Sequence, residues 1–131
     1  MSDEDEGTAQ AAGVVVLDRR IAPERLARLL QAHFEDMVKY VVDVERRLVA
    51  AGGEMHVDGE QALLDAGSRQ ADLWGANYYP GRGRDGCIEY TSLINIRPAS
   101  GNRGMEIQDP ALRERVREIT FALLGEGEGL E

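Results

Sequence analysis

Polar side chains recur along two strand-like runs, Asp72–Tyr79 and Cys87–Arg97, where a buried hairpin would carry valines. Polar groups on neighbouring strands can line a binding cleft, and an indole ring offers a surface on which a planar ligand stacks. The alternative is that these side chains simply face water, as one face of an antiparallel sheet often does. The candidate ligand-binding residues are Trp74, Asn77, Asn95, Arg97 and Arg103.

Arg97 and Arg103 flank a short loop that contains serine and glycine and lies just before a predicted helix. Guanidinium groups bind phosphates and carboxylates through paired N–H donors, and helix N-termini attract anions. This loop therefore indicates an anionic or nucleotide-like ligand. The competing interpretation is a surface turn whose arginines pair with carboxylates of the protein itself.

Glu45, His56 and Glu89 are the candidates for acid–base catalysis. Glu45 falls on the apolar face of a predicted helix, where a carboxylate needs a cationic partner or a raised pKa, and Arg97 is the predicted partner. Lys39 lies four residues after one acid and four before another, which is typical of an exposed charge ladder on a helix.

His56 lies between Glu54 and Asp58 on a predicted strand, but three side chains in a straight line rarely bind one ion, so no metal site is predicted. The sequence contains no phosphate-binding loop, dinucleotide fingerprint or serine-nucleophile motif. No cofactor is therefore predicted, and nothing in these residues separates an enzyme from a binding protein.

Hydrophobic periodicity predicts the elements that must position these residues. Apolar residues at helical spacing predict one long helix over Glu24–Ala51, and Asp109 followed by Pro110 predicts the start of a last helix that ends near Leu124. The result is an α+β fold of order β-α-β-short α-β-β-α, with a mainly antiparallel sheet of about four strands packed against the long N-terminal helix and the C-terminal helix. The remaining predicted elements are strands at Val14–Leu17, Glu54–Asp58, Asp72–Tyr79 and Cys87–Arg97, and a short helix at Gly59–Ala66.

The chain has 131 residues and a formal net charge of −9, and its acids are concentrated at the two ends. We predict a single globular domain over residues 13–125 between acidic tails, a disordered one at 1–12 and a second at 126–131. Acidic ends disfavour nucleic acid and membranes as partners. One cysteine and no visible secretory signal favour a cytoplasmic location.

Four segments of the chain carry a family resemblance: Asp36–Glu45, Gly53–Asp58, Gly67–Asn77, and Ser92–Pro98 with Gly101–Arg103. Together they resemble a small prokaryotic family catalogued as domain of unknown function 5674, and the resemblance covers Val14 to Leu124. It implies no activity, ligand or catalytic residue. It does include these polar residues in the matching motifs: Lys39, Asp43, Glu45, His56, Trp74, Asn77, Asn95, Arg97 and Arg103.

Two functions follow as hypotheses. In the first, the domain binds an anionic or nucleotide-like small molecule in a polar site on the sheet. In the second, it is a protein–protein interaction module or a homo-oligomer without catalytic activity, and Trp74, Tyr78 and Tyr79 form an exposed aromatic patch.

Overall fold

The computed structural model describes residues 8–10 and 13–130, and it shows an α+β fold built on one antiparallel sheet. The sheet has six strands in the order β1-β2-β4-β3-β5-β6. The strands are β1 (Thr8–Gln10), β2 (Val14–Leu17), β3 (Val38–Asp43), β4 (Leu48–Gly52), β5 (Leu73–Tyr78) and β6 (Ile88–Glu89). The α-helices are α1 (Pro23–His33), α2 (His56–Asp65) and α3 (Pro110–Leu123).

Helices cover both faces of the sheet. Val38, Tyr40 and Val42 of β3 belong to the larger core cluster, which also contains residues of α1 and α3. Val41, on the opposite face of the same strand, packs in a smaller cluster with Ala62 and Leu63 of α2. Since both faces of β3 are buried, its sequence is apolar almost throughout instead of alternating.

The predicted long helix over Glu24–Ala51 is wrong. Helix α1 ends at His33, and the rest of the segment forms the β3–β4 hairpin. Because both faces of these strands are buried, their apolar residues also occur at the spacings of a helix, which explains the wrong prediction. The β-branched valines are the signal that favours a strand. Glu35 and Arg47 adopt left-handed backbone angles, with φ of 68° and 57°, at turns that no glycine marks in the sequence.

Two predicted strands also differ from the structure. The segment Glu54–Asp58 is not a strand, because α2 begins at His56 and includes most of the short helix predicted after it. The segment Cys87–Arg97 is a strand only at Ile88–Glu89, after which the chain turns through the short 3₁₀ helix Leu93–Asn95. The described residues nevertheless form six strands instead of about four, because β1, β3 and β4 were not predicted as strands.

The final helix agrees with its prediction. The side chain of Asp109 accepts a hydrogen bond from the Ala111 N–H at 3.0 Å, and Pro110 occupies the first turn. Among the described residues, no helix has the length and apolar character needed to cross a membrane.

Part of each predicted acidic tail is described. Thr8–Gln10 pairs with β2, and the rest of residues 1–12 lies outside the described residues. At the other end, the Gly127 carbonyl accepts hydrogen bonds from the N–H groups of Gly81 and Gly83, and the Gly127 N–H donates to the Tyr78 hydroxyl. Residues 126–130 thus contact the loop that follows β5. Burial raises the pKa of Tyr78 to about 12, so this hydroxyl stays protonated at neutral pH.

Gly75 of β5 permits a close approach between the sheet and the loop after β6. A Cβ atom at this position would lie 2.6 Å from Ser92 Cβ and 2.7 Å from Ser92 Oγ. We expect Gly75→Ala to lower the free energy of unfolding by about 1–3 kcal/mol, because neither the strand nor the buried serine can move without disturbing its neighbours.

Urea denaturation of the two proteins measures this loss. Gly104→Ala is the matched control, because its added methyl group meets only the end of the Gln108 side chain at 3.6 Å. Equal unfolding midpoints for Gly75→Ala and the native chain would contradict the close approach.

Candidate functional site

Three polar side chains lie next to one another on the face of the sheet that α2 covers. The strand register pairs Lys39 of β3 with Asn77 of β5, and Asn77 with Glu89 of β6. Alternate residues of a strand share a face, and Val41 and Leu73 on this face pack with α2. Lys39, Asn77 and Glu89 therefore form a row across three strands.

His56, the first residue of α2, connects the helix to this row. Its Nε2 atom lies 2.9 Å from the carbonyl oxygen of Ala76. A carbonyl oxygen only accepts hydrogen bonds, so Nε2 carries the proton and Nδ1 of the neutral ring has a free lone pair. We call Lys39, His56, Asn77 and Glu89 together the polar site.

The electrostatic environment keeps the His56 ring neutral. Burial is the main factor that lowers the pKa of His56, and the Lys39 ammonium lowers it further. The Ala76 carbonyl, Asn77 and Glu89 act in the opposite direction without reversing the change. His56 is thus electrostatically coupled to every member of the row.

Asn77 has a hydrogen-bonding capacity that the protein leaves unused. The side chain is only 7% exposed, and its amide nitrogen donates to Glu89 Oε1 at 2.8 Å and to the Thr91 carbonyl at 3.5 Å. These two acceptors fix the orientation of the amide. Its oxygen, Oδ1, is buried and accepts no hydrogen bond of normal geometry among the described residues, although the Asn77 amide lies near enough to the His56 ring to raise the pKa of that ring. Such a group costs about 1–3 kcal/mol, so its presence in a native fold requires an explanation.

Lys39 and Glu89 bring opposite charges to the two sides of Asn77. The Lys39 ammonium lies 5.0 Å from the centre of the Phe34 ring and makes no ion pair or hydrogen bond within residues 13–130. Glu89 is exposed, and its Oε1 atom also accepts a hydrogen bond from the Tyr79 hydroxyl at 3.1 Å. Burial raises the pKa of Tyr79, and the bond to the carboxylate adds to this, so the phenol remains a donor.

Asn95 satisfies the backbone of β5 instead of facing a ligand. Strand β6 pairs only with Asn77 and Tyr78, which leaves the earlier part of β5 without a neighbour on that side. The Asn95 side chain accepts from the Gly75 N–H and donates to the Gly75 carbonyl, both at 2.9 Å, and it also donates to the Met105 carbonyl. A fully buried amide thus replaces a missing strand at this point.

Arg97 also binds backbone carbonyls, at the start of β5 and just before it. Its guanidinium donates to the carbonyls of Ala71 and Leu73 and stacks on the Trp74 ring, 4.2 Å from its centre. Its Nε atom donates to the Ile94 carbonyl at 3.2 Å. The guanidinium N–H groups that would hold an anion therefore bind backbone carbonyls.

Glu45 does not contact Arg97 and is not buried, so the predicted pair is wrong. Glu45 lies in the exposed β3–β4 turn, where its carboxylate forms an ion pair with Arg115 at 2.9 Å. Trp74 lies on the face opposite Asn77, as strand alternation requires, and packs in the larger core cluster. Arg103 is exposed and makes no ion pair or hydrogen bond with the described residues.

The structure therefore brings together three of the sequence candidates, namely His56, Asn77 and Glu89. Lys39 joins them, although the sequence placed it on an exposed helix face. The signal that could have found it is its position within a β-branched run, since strand alternation puts it opposite Val38 and Tyr40.

Two cavities of about 400 Å³ flank the segment that contains Arg97, but neither includes the polar site. Their main polar side chains, Arg97 in one and Asn102 in the other, already donate to backbone carbonyls. In the polar site, unused hydrogen-bonding capacity lies beside charged groups of both signs; the other buried side-chain atom without a hydrogen-bond partner in the described residues, Arg113 Nε, belongs to a guanidinium that lies over the Tyr90 ring. In the described part of the chain, no group of three or more His, Cys, Asp or Glu side chains is arranged to hold a metal ion.

Comparison with known proteins identifies a family but no function. A family model described as a protein of unknown function (DUF5674) matches residues 15–123. This match confirms the resemblance seen in the sequence motifs. No curated protein and no solved structure matches the chain.

Because Arg97 binds three backbone carbonyls, we expect Arg97→Ala to lower the free energy of unfolding by about 2–4 kcal/mol. Chemical denaturation of the variant checks this, and Arg103→Ala, the other arginine of the predicted loop site, serves as the matched control and should change stability by less than about 0.5 kcal/mol. If both substitutions leave stability unchanged, the structural role of Arg97 is wrong.

The lowered pKa of His56 predicts a pH-dependent stability. The unfolded chain takes up a proton on this histidine near pH 6.5, whereas the folded chain does so only at lower pH, so the free energy of unfolding should fall as pH drops from about 7.5 to 5.5. Urea denaturation at several pH values measures the slope. We expect His56→Gln to reduce the slope and His33→Gln to retain it; an unchanged slope in His56→Gln would refute the assignment.

Proposed function

Because the chain belongs to the DUF5674 family, whose description assigns no activity, we propose a function from its own residues: binding of a small anionic molecule at the polar site on the sheet. The observation that carries this proposal is the buried Asn77 oxygen without a donor, in a residue that is paired across the strands with Lys39, whose ammonium has no counter-ion among the described residues. An anionic group of the bound molecule would pair with the ammonium, and a hydrogen-bond donor on the same molecule would satisfy the Asn77 oxygen.

Two features favour an anionic group near Lys39. Lys39 is the single lysine of the chain, and its ammonium, on a flexible stem, has no carboxylate partner among the described residues. The first turn of α2 starts at His56, and the N-terminus of a helix carries a partial positive charge, which the Asp58 carboxylate in the same turn reduces.

A nucleotide-like ligand, one of the two ligand classes predicted from the sequence, is no longer favoured. It required Trp74 as a stacking surface and Arg97 as an anion ligand, but Trp74 packs on the opposite face and Arg97 binds backbone carbonyls. The proposal is therefore a small anion without a nucleobase, and it uses Lys39 in place of Arg97.

An interaction module remains the alternative proposal, with different residues. Trp74 and Tyr78 are buried and cannot form the predicted aromatic patch. The observation that favours this alternative is a set of exposed aliphatic side chains: Met55, Val57, Leu93, Ile96 and Met105.

A thermal-shift screen against small carboxylates, inorganic phosphate, sulfate and sugar phosphates tests the proposal. A bound anion at about 100 times its dissociation constant should add about 2.7 kcal/mol of stability and raise Tm visibly. We expect Lys39→Met to abolish the shift, because it removes the charge and keeps most of the apolar stem.

Arg103→Met is the matched control, because it removes a cation from the loop that the sequence favoured, outside the polar site. A shift that survives in Lys39→Met and disappears in Arg103→Met would contradict the proposal. A screen without any shift would favour the interaction module instead.

A further inference from the structure

We infer that the ligand of the polar site is zwitterionic, with a primary ammonium group and a carboxylate a few ångströms apart, as in a free amino acid. This inference rests on the proposed function and specifies its ligand class. It uses the charges and the unused acceptors of the polar site.

The charges of the site match a zwitterion better than a simple anion. Lys39 and Glu89 lie on either side of Asn77, with Cα atoms about 10 Å apart because neighbouring strands are about 4.8 Å apart. They form no ion pair with each other. A simple anion at Lys39 would leave the Glu89 carboxylate without a cation and would be repelled by it.

Apart from the Lys39 ammonium, the hydrogen-bonding groups of the polar site that remain free are acceptors. Asn77 Oδ1 has no donor, and both hydrogen bonds to Glu89 end on Oε1, which leaves Oε2 without a partner within residues 13–130. The Asn77 amide cannot be flipped, because its nitrogen would then no longer donate to Glu89 Oε1 and to the Thr91 carbonyl. A primary ammonium has three N–H donors, whereas a hydroxyl has one and a simple carboxylate has none.

These two observations orient the ligand. Its ammonium would lie between Asn77 Oδ1 and the Glu89 carboxylate, and its carboxylate would lie toward Lys39 and the first turn of α2. His56 would border the ligand while its Nε2–H group continues to donate a hydrogen bond to the Ala76 carbonyl. Each charged group of the ligand then meets the opposite charge, and the buried amide oxygen gains a donor.

A matched set of compounds tests this class directly. The twenty amino acids are screened by thermal shift, and the dissociation constant of the best amino acid is measured by calorimetry. Two analogues are then compared with it, one with a hydroxyl and one with a hydrogen in place of the ammonium. We expect the amino acid to bind about tenfold more tightly than either analogue, because each lacks the charged donor.

Glu89→Gln tests the contact with the ammonium of the ligand separately from the contact with its carboxylate. Because Glu89 is exposed, the fold should tolerate this change, and we expect it to weaken binding of the amino acid about tenfold without weakening binding of the analogue that lacks the ammonium. Glu118→Gln, an exposed carboxylate on α3 across the sheet, is the control and should change neither affinity.

The possible failures are distinguishable. If carboxylates bind through Lys39 but the amino acid gains nothing over its analogues, the zwitterion is refuted and the proposed anion site stands. If an amino acid binds to Lys39→Met and to Glu89→Gln as tightly as it binds to the native chain, the zwitterion inference is refuted for the polar site. If no amino acid and no anion binds, both proposals are refuted.

Discussion

The hydrogen bonds of the Asn95 side chain to Gly75 are the interaction on which the rest of the structure depends. They satisfy a strand backbone at the sheet edge where β6 no longer runs beside it. Without them the backbone groups of Gly75 would be left buried without partners, which costs more than an exposed hydrogen bond provides. The short β6 in turn ends beside Asn77, so the loop after it crosses above the sheet and encloses the polar site from that side.

The sequence was sufficient for elements whose signals are local. The strand at Val14–Leu17, the strand around β5, and the Asp109 cap of the last helix each depend on residues within the element itself. The β3–β4 hairpin could not be predicted in the same way, because burial on both faces removes the alternation that identifies a strand. Its turn also uses a left-handed arginine, Arg47, where a glycine or asparagine would have marked it.

The candidate site, like the β3–β4 hairpin, could be predicted only in part from the sequence. His56, Asn77 and Glu89 were recognisable as candidates by residue type, but their convergence depends on the register of β5 and β6 and on where α2 begins. Asn95 and Arg97 have residue types typical of ligand binding, and only the backbone carbonyls around them reveal a structural role. Much of the motif Ser92–Pro98 thus holds a loop in place, and the residues of the candidate site lie on β3, β5 and β6 and at the start of α2.

Strand β3 contributes to the core and to the polar site at consecutive positions. Lys39 lies between Val38 and Tyr40, two almost completely buried residues of the main core cluster, and the Tyr40 hydroxyl is hydrogen-bonded to Thr120 of α3 at 2.6 Å. The backbone under the site can therefore open only when the core opens, so its amide hydrogens belong to the slowest-exchanging part of the protein. A ligand bound there, as we propose, would meet a surface that is already ordered, and it would lose little binding free energy to the ordering of the protein.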